Sequence, residues 1–180
     1  MEHRSIAGGL ALLLAGLMLI GFLFIDRCAP SKPLGLAPDE GVEALLQAPA
    51  SSLGSMRELR GRTVVLEFWS TGCGSCRESL PHMNKLRERF KSEPVVFLSV
   101  TKEPREVVEA FLRTHPMTGW IGLDEGLSLH RAFGVRGVPE VYVIDRFGRI
   151  TTKLSPSFFY ASDIERALKA EPPQRSVRQD

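Results

Sequence analysis

The sequence predicts an α/β fold, a mixed central sheet flanked by helices, preceded by one N-terminal transmembrane helix. Three observations carry this. Residues 6–25 contain no charged and no strongly polar side chain. From Arg62 onward, short β-branched runs alternate with stretches of helical periodicity. Cys73 and Cys76 stand where the first of those runs gives way to a helix.

The apolar run comes first. At about 1.5 Å of rise per residue it spans roughly 30 Å, the hydrocarbon thickness of a bilayer. A cleaved signal peptide usually has an apolar region of only about 7–15 residues and a small-x-small cleavage site. Here the run ends Phe22-Leu23-Phe24-Ile25-Asp26-Arg27, which lacks that site. Residues 1–28 are therefore expected to be an uncleaved anchor. Cys28 is expected to be unmodified, because Asp26 and Arg27 before it fit lipidation poorly. The flanking charges bias orientation only weakly. A short N-terminal tail ordinarily stays in the cytoplasm, which puts the rest of the chain on the extracytoplasmic (periplasmic) side of the cell membrane.

Residues 29–50 carry Pro30, Pro33, Pro38 and Pro49 and read as a spacer, with a short helix around Glu40 to Leu46. Residues 51–170 read as the globular domain, and 171–180 as a polar disordered tail. Within the domain, Thr63 to Trp69 is β-branched and aromatic, a buried strand. A helix follows to about Phe90, with Leu80, Met83, Leu86 and Phe90 on one side and Pro81 inside it. Pro94 to Val100 is a second buried strand, and Glu103-Pro104 opens a helix that turns Val107, Val108, Phe111 and Leu112 to the core. A short strand at Trp120 to Leu123 and a short helix from Gly126 to Phe133 come next. Glu140 to Ile144 and Arg149 to Leu154 form a hairpin around Asp145-Arg146-Phe147-Gly148. Ser162-Asp163-Ile164-Glu165 has the pattern of a capping box opening a last helix. This order gives a mixed sheet whose first crossover is a right-handed βαβ unit.

Composition excludes some functions. A net charge of +2 and the absence of a basic run interleaved with aromatics give no footing for nucleic acid. Three cysteines cannot form a disulfide framework. Two of them, in Cys73-Gly74-Ser75-Cys76, are spaced so that their sulfurs can meet across one helical turn. The first sits at the helix N-terminus, where free N–H groups and the dipole favour an anion. Such positions lower a thiol pKa from about 8.5 to roughly 3.5–7.5. Cys73 is thus the expected nucleophile and Cys76 the resolving thiol. The rival reading is half of a zinc site, but Cys28 and four scattered histidines supply no second pair of ligands. No metal and no cofactor is expected.

Phe68-Trp69-Ser70-Thr71-Gly72-Cys73-Gly74-Ser75-Cys76, followed by Pro81, resembles the active-site strand, loop and helix of thioredoxins. Gly134-Val135-Arg136-Gly137-Val138-Pro139, followed by an apolar strand and a tight turn, resembles the same superfamily's cis-proline region. The anchor and the insertion between Thr101 and Phe133 resemble the TlpA/ResA-type branch of membrane-tethered, extracytoplasmic thiol–disulfide oxidoreductases. The resemblance covers about Leu53 to Lys169. It implies a cis Val138–Pro139 bond beside the disulfide, with the Val138 backbone pairing with a substrate peptide like an added strand. It also puts Glu67 where many thioredoxins hold a buried acid beneath the resolving cysteine. Without a partner there, Glu67 would have a raised pKa and could relay the Cys76 proton; the other reading is a strand residue that reaches solvent or an ion pair.

The departures from that pattern are informative. Gly72 replaces a tryptophan and removes an apolar wall beside the first sulfur. Ser75 replaces a proline and offers a hydroxyl to a thiolate. Glu140, where a small hydroxyl residue is usual, is expected to disfavour the Cys73 thiolate or to select basic partners. Ser79 stands where ResA-type members carry a glutamate, so that glutamate's roles do not transfer. The implied function is disulfide exchange with protein disulfide or dithiol substrates, fed by a membrane thiol electron donor, with cytochrome c maturation as one such task. The alternatives are copper handling by the two thiols, which lacks a histidine near Pro139, and a peroxiredoxin-type peroxidase, whose Pro-x-x-x-Thr/Ser-x-x-Cys frame is missing before Cys73.

Overall fold

The computed structural model describes residues 33–173. The anchor expected at 6–25, Cys28 and the end of the tail lie outside the described residues. Among the described residues no helix is long and apolar enough to cross a membrane.

The centre of the fold is β5 (Thr63–Phe68), whose six residues are all buried. A strand apolar on both faces can only sit inside a sheet covered on both sides, which is what its near-continuous Val/Leu/Phe run encodes. It runs parallel to β6 (Val95–Thr101), which runs parallel to β7 (Trp120–Leu123). On its other side it is antiparallel to β8 (Glu140–Ile144), which forms a hairpin with β9 (Arg149–Leu154). The hairpin turn closes on Asp145, whose carboxylate accepts the N–H groups of Phe147 at 2.9 Å and Arg149 at 3.0 Å.

Helices cover the two faces. On one, α1 (Gly74–Arg89) and α4 (Ala161–Leu168) lay Met83, Leu86, Ile164 and Ala167 against Val65, Phe97, Val141 and Val143. On the other, a 3-10 turn at Met56–Leu59 and α3 (Ser128–Ala132) pack Met56, Leu59 and Leu129 against Leu66, Phe68, Leu98 and Tyr142. Toward the β7 side, Val108 of α2 (Arg105–Thr114) joins Trp69, Cys76, Leu80 and Ile121 in a third cluster.

The stretch expected as a spacer departs from that reading. β1 (Gly35–Leu36) pairs with β9, and β3 (Ala44–Leu46) pairs with β7, so both edges of the seven-stranded sheet are closed by residues before 51. β2 (Glu40–Val42) pairs with β4 (Leu53–Ser55) in a separate two-stranded ribbon. No helix forms at Glu40 to Leu46. Glu43 to Leu46 are good helix formers, but an unpaired sheet edge offers more hydrogen bonds than one isolated turn, and tertiary context outweighs propensity. Gly41 makes the ribbon possible: a Cβ there would lie 1.7 Å from the Leu53 carbonyl oxygen.

Smaller differences follow the same logic. The N-cap of the last helix is Tyr160, two residues before the expected cap Ser162. Asp163, at its third position, accepts the Tyr160 N–H at 3.0 Å. Of the apolar side chains assigned to α2's inner face, Val108 is buried, Phe111 and Leu112 are half-buried, and Val107 is exposed.

Candidate active site

The site is built at the C-terminal end of the parallel strands. Trp69, just past β5, still donates its N–H to Val100 O at 3.0 Å, and the chain then leaves the sheet. Cys73 closes the turn by donating its N–H to Ser70 O at 3.2 Å. Glu103, at the end of β6, holds this loop. It accepts the Thr71 N–H and the Thr71 hydroxyl, each at 2.7 Å, and the Thr101 hydroxyl at 3.1 Å. The sequence marks Glu103 only as the opening of a helix. The missing signal is that two consecutive parallel strands end side by side, so the residues just past each can meet.

Cys73 is the N-cap of α1, and its Sγ accepts the Cys76 N–H at 3.1 Å. Cys73 and Cys76 are joined in a disulfide, with Cα atoms 5.2 Å apart. Cys76 is 2 % exposed and packs under Trp69 and Leu80, whereas Cys73 is half-buried. Only the first sulfur is open to an incoming thiolate. Ser75 Oγ lies 3.5 Å from Cys73 Sγ, close enough to donate to a thiolate once the bond is opened. Gly72 is exposed and a Cβ on it would meet nothing within 4 Å, so no wall stands beside the sulfur there.

The opposite bank is the segment before β8. The Val138–Pro139 peptide bond is cis, and the Val138 carbonyl oxygen lies 3.9 Å from Cys73 Sγ. Both residues are half-buried. The fold thus brings Gly72, Cys73, Cys76, Val138 and Pro139 to one edge of the molecule.

One expectation is corrected. Glu67 is not an unpartnered acid. Its Oε2 accepts Arg87 Nη2 at 2.9 Å and Ser99 Oγ at 3.0 Å, and Arg87 also donates to Ser99 Oγ at 2.7 Å. All three side chains are buried, and Cys76 is not among Glu67's hydrogen-bond partners. Burial pulls the Arg87 guanidinium below the usual arginine value, and Glu67 opposes that pull. The sequence does carry a signal for the pair. Arg87 lies four residues past Met83, in line with the buried stripe of α1, and Glu67 is the one charge in a buried strand.

Glu140 is likewise engaged. It accepts the Tyr142 hydroxyl at 2.8 Å and forms an ion pair with Lys153 at 3.2 Å. Burial raises the Tyr142 phenol, and Tyr142 and Glu140 together raise Lys153. Its charge is therefore answered from across the β8–β9 hairpin.

A further polar cluster went unread in the sequence. Asp124, fully buried after β7, accepts Ser128 Oγ at 2.9 Å, Leu129 N–H at 3.2 Å, His130 N–H at 2.8 Å and His130 Nδ1–H at 2.7 Å. It caps α3 and fixes the short helix that leads into the Val138 loop. Burial pushes its carboxyl up, but the bonds from His130, Leu129 and Ser128 outweigh this and leave it below the usual aspartate value. Among the described residues no group of three or more His, Cys, Asp and Glu side chains converges as a metal site.

Comparison with known proteins agrees with this arrangement. The redoxin family pattern matches residues 42–168. The chain is 30% identical over 132 residues to the thiol-disulfide oxidoreductase ResA of Halalkalibacterium halodurans, covering 73% of this chain and 75% of that protein. It is 31% identical over 119 residues to the ResA of Geobacillus kaustophilus, covering 66% and 68%. Among solved structures, it superposes on a thiol:disulfide interchange protein of the thioredoxin family from Chlorobium tepidum with a TM-score of 0.61 at 21% identity, over 77% of this chain and 99% of that one. The thioredoxin domain of a thiol-disulfide oxidoreductase from Bacteroides vulgatus gives 0.62 at 20% identity, over 74% and 92%. At those identities the two structures speak for the fold.

Proposed function

The chain belongs to the redoxin family and is a ResA-like thiol–disulfide oxidoreductase of the thioredoxin superfamily; from that premise we propose that it works tethered to the cell membrane by residues 6–25, exchanging disulfides with extracytoplasmic proteins. The electrons come from a membrane thiol carrier, and the haem-binding cysteines of c-type cytochromes, which must be reduced before haem attachment, are one class of client. The observation that carries the exchange reading is the asymmetry of the two sulfurs: Cys73 half-buried at the helix N-terminus, Cys76 sealed beneath Trp69 and Leu80.

The steps follow from that asymmetry. In the reduced protein the Cys73 thiolate, held by the Cys76 N–H and the helix dipole, attacks one sulfur of a client disulfide. A Cys73–client S–S bond forms, and the client's other sulfur leaves as a thiolate and takes a proton from water. Cys76 gives its proton to water and attacks Cys73 Sγ. The Cys73–Cys76 bond forms, the second client thiolate leaves, and the client has gained the two electrons the protein lost. Recharging runs the reverse course, with a donor thiolate attacking Cys73 Sγ because Cys76 is covered.

Two experiments test the proposal. Cys76→Ser is expected to trap mixed disulfides with clients and Cys73→Ser to trap none, and both to lose insulin reduction with dithiothreitol; the opposite trapping pattern overturns the assigned roles. Labelling of cysteines introduced near residue 170 by a membrane-impermeant maleimide in intact cells is expected to succeed. Protection from the reagent until the membrane is opened would overturn the extracytoplasmic placement.

A further inference from the structure

Beside the reactive disulfide lies a cavity of about 450 Å³, bounded by the Trp69–Ser70 turn, Lys102, α3 and the loop that ends at Val138. One wall is Val138 itself, whose carbonyl oxygen is 3.9 Å from Cys73 Sγ, so whatever occupies the cavity is adjacent to the reacting atom. Three cations, Lys102, Arg131 and Arg136, line it, and no carboxylate does. All three are exposed, and among the described residues none of them is in a salt bridge. The nearby acids are occupied elsewhere: Glu103 by Thr71 and Thr101, Asp124 by the four donors around it. Trp69, one of the lining residues, carries a buried Nε1–H with no acceptor among the described residues. A cleft lined by one sign of charge concentrates and steers the opposite sign.

We propose that this cavity is a specificity subsite that receives acidic side chains of a client polypeptide flanking its reacting cysteine. The proposal deepens the exchange reading and rests on it. The strand-like pairing of a client along Val138 runs its backbone past Cys73, and side chains next to the reacting sulfur then reach the cavity mouth. Carboxylates there meet Lys102, Arg131 and Arg136, whose charges have no salt-bridge partner among the described residues. Glu140 does not oppose this: its charge is held by Lys153, and the charges that line the cavity are positive.

The test uses the full-length chain in neutral detergent, reduced with dithiothreitol and then freed of it. It is mixed with three synthetic peptides, each holding one disulfide flanked by Asp/Glu, by Ser/Gly, or by Lys/Arg. At an ionic strength of about 0.01 M, where the Debye length is roughly 30 Å, the acidic peptide should be reduced about tenfold faster than the neutral one and the basic peptide slowest. The gap should close near 1 M salt, where that length falls to about 3 Å. In Lys102→Gln/Arg131→Gln/Arg136→Gln the acidic-to-neutral ratio should fall to within about twofold of one; Arg136→Gln alone, expected to lower it partway, carries the test if the triple variant does not fold. Equal rates for the three peptides, a preference for the basic one, or an acidic preference that survives the substitutions would overturn the subsite. So would a charge-variant effect seen with oxidised glutathione but not with the acidic peptide, which would assign the cavity to a small anionic disulfide. Failure to reduce any of the three peptides would instead overturn the exchange reading itself.

Discussion

Cys73 and Cys76 are chemically identical in sequence and differ only in where α1 begins. The first lies at the cap, open on one side, and the second is one turn in, under Trp69 and Leu80. The same helix carries Arg87 to the interior, where it neutralises Glu67. A buried ion pair adds little net stability over an apolar pair, but removing one member strands the other, at a cost of about 3–5 kcal/mol. Arg87→Leu is therefore expected to lower stability by roughly that amount in urea unfolding, and Glu67→Leu/Arg87→Leu to recover most of it. A double variant no more stable than the single one would show that the cost comes from lost packing. The redox readout separates a second role: if Glu67 also took a proton from Cys76, Glu67→Gln would change the pH dependence of the exchange rate, whereas a purely structural pair would leave that profile in place.

At the level of elements, the short α3 is the least self-sufficient piece. Its five residues begin after Leu127, a non-glycine residue at φ 62°, and no side chain of the N-cap residue holds its start. Asp124 does that work from outside the helix through Leu129, His130 and Ser128. Because its pKa is lowered in the folded chain, the stabilisation is fully present above the unfolded value of about 3.9 and is lost as pH falls from there toward the lowered value. The acid limb of stability against pH should therefore be steeper in the wild type than in Asp124→Asn, with the difference confined below about pH 4. Parallel curves, measured as urea midpoints, would remove Asp124 from the account of acid lability. Since α3 leads into the Val138 loop, the same element links folding stability to one bank of the active site.

For the whole molecule, the sheet begins well before the first strongly patterned strand. Residues 35–46 supply both edge strands, and the buried Val42 and Leu45 with them. Fully burying two such side chains contributes about 1.5–3 kcal/mol each, and their loss would also leave β7 and β9 with unpaired edges. A chain starting at residue 51 is expected to be at least about 3 kcal/mol less stable than one starting at residue 33, and to aggregate through its exposed edges. Equal unfolding midpoints for the two chains would return residues 33–50 to the role of a spacer.

What the amino-acid order determined by itself was the part encoded in local pattern. The central strand, the helix starting at Cys73 and the β8–β9 hairpin could be read from periodicity, turn residues and spacing, because each is specified within a few residues of itself; that the Pro139 segment faces Cys73 was implied by the resemblance to thioredoxins. The tertiary structure alone decided the rest: edge strands β1 and β3, the Glu103 clamp on the Thr71 loop, and the basic cavity beside Val138. Each joins residues far apart in the chain through hydrogen bonds or charge. Local sequence states what a residue could bond to; only the packed sheet states which partner is within 3 Å.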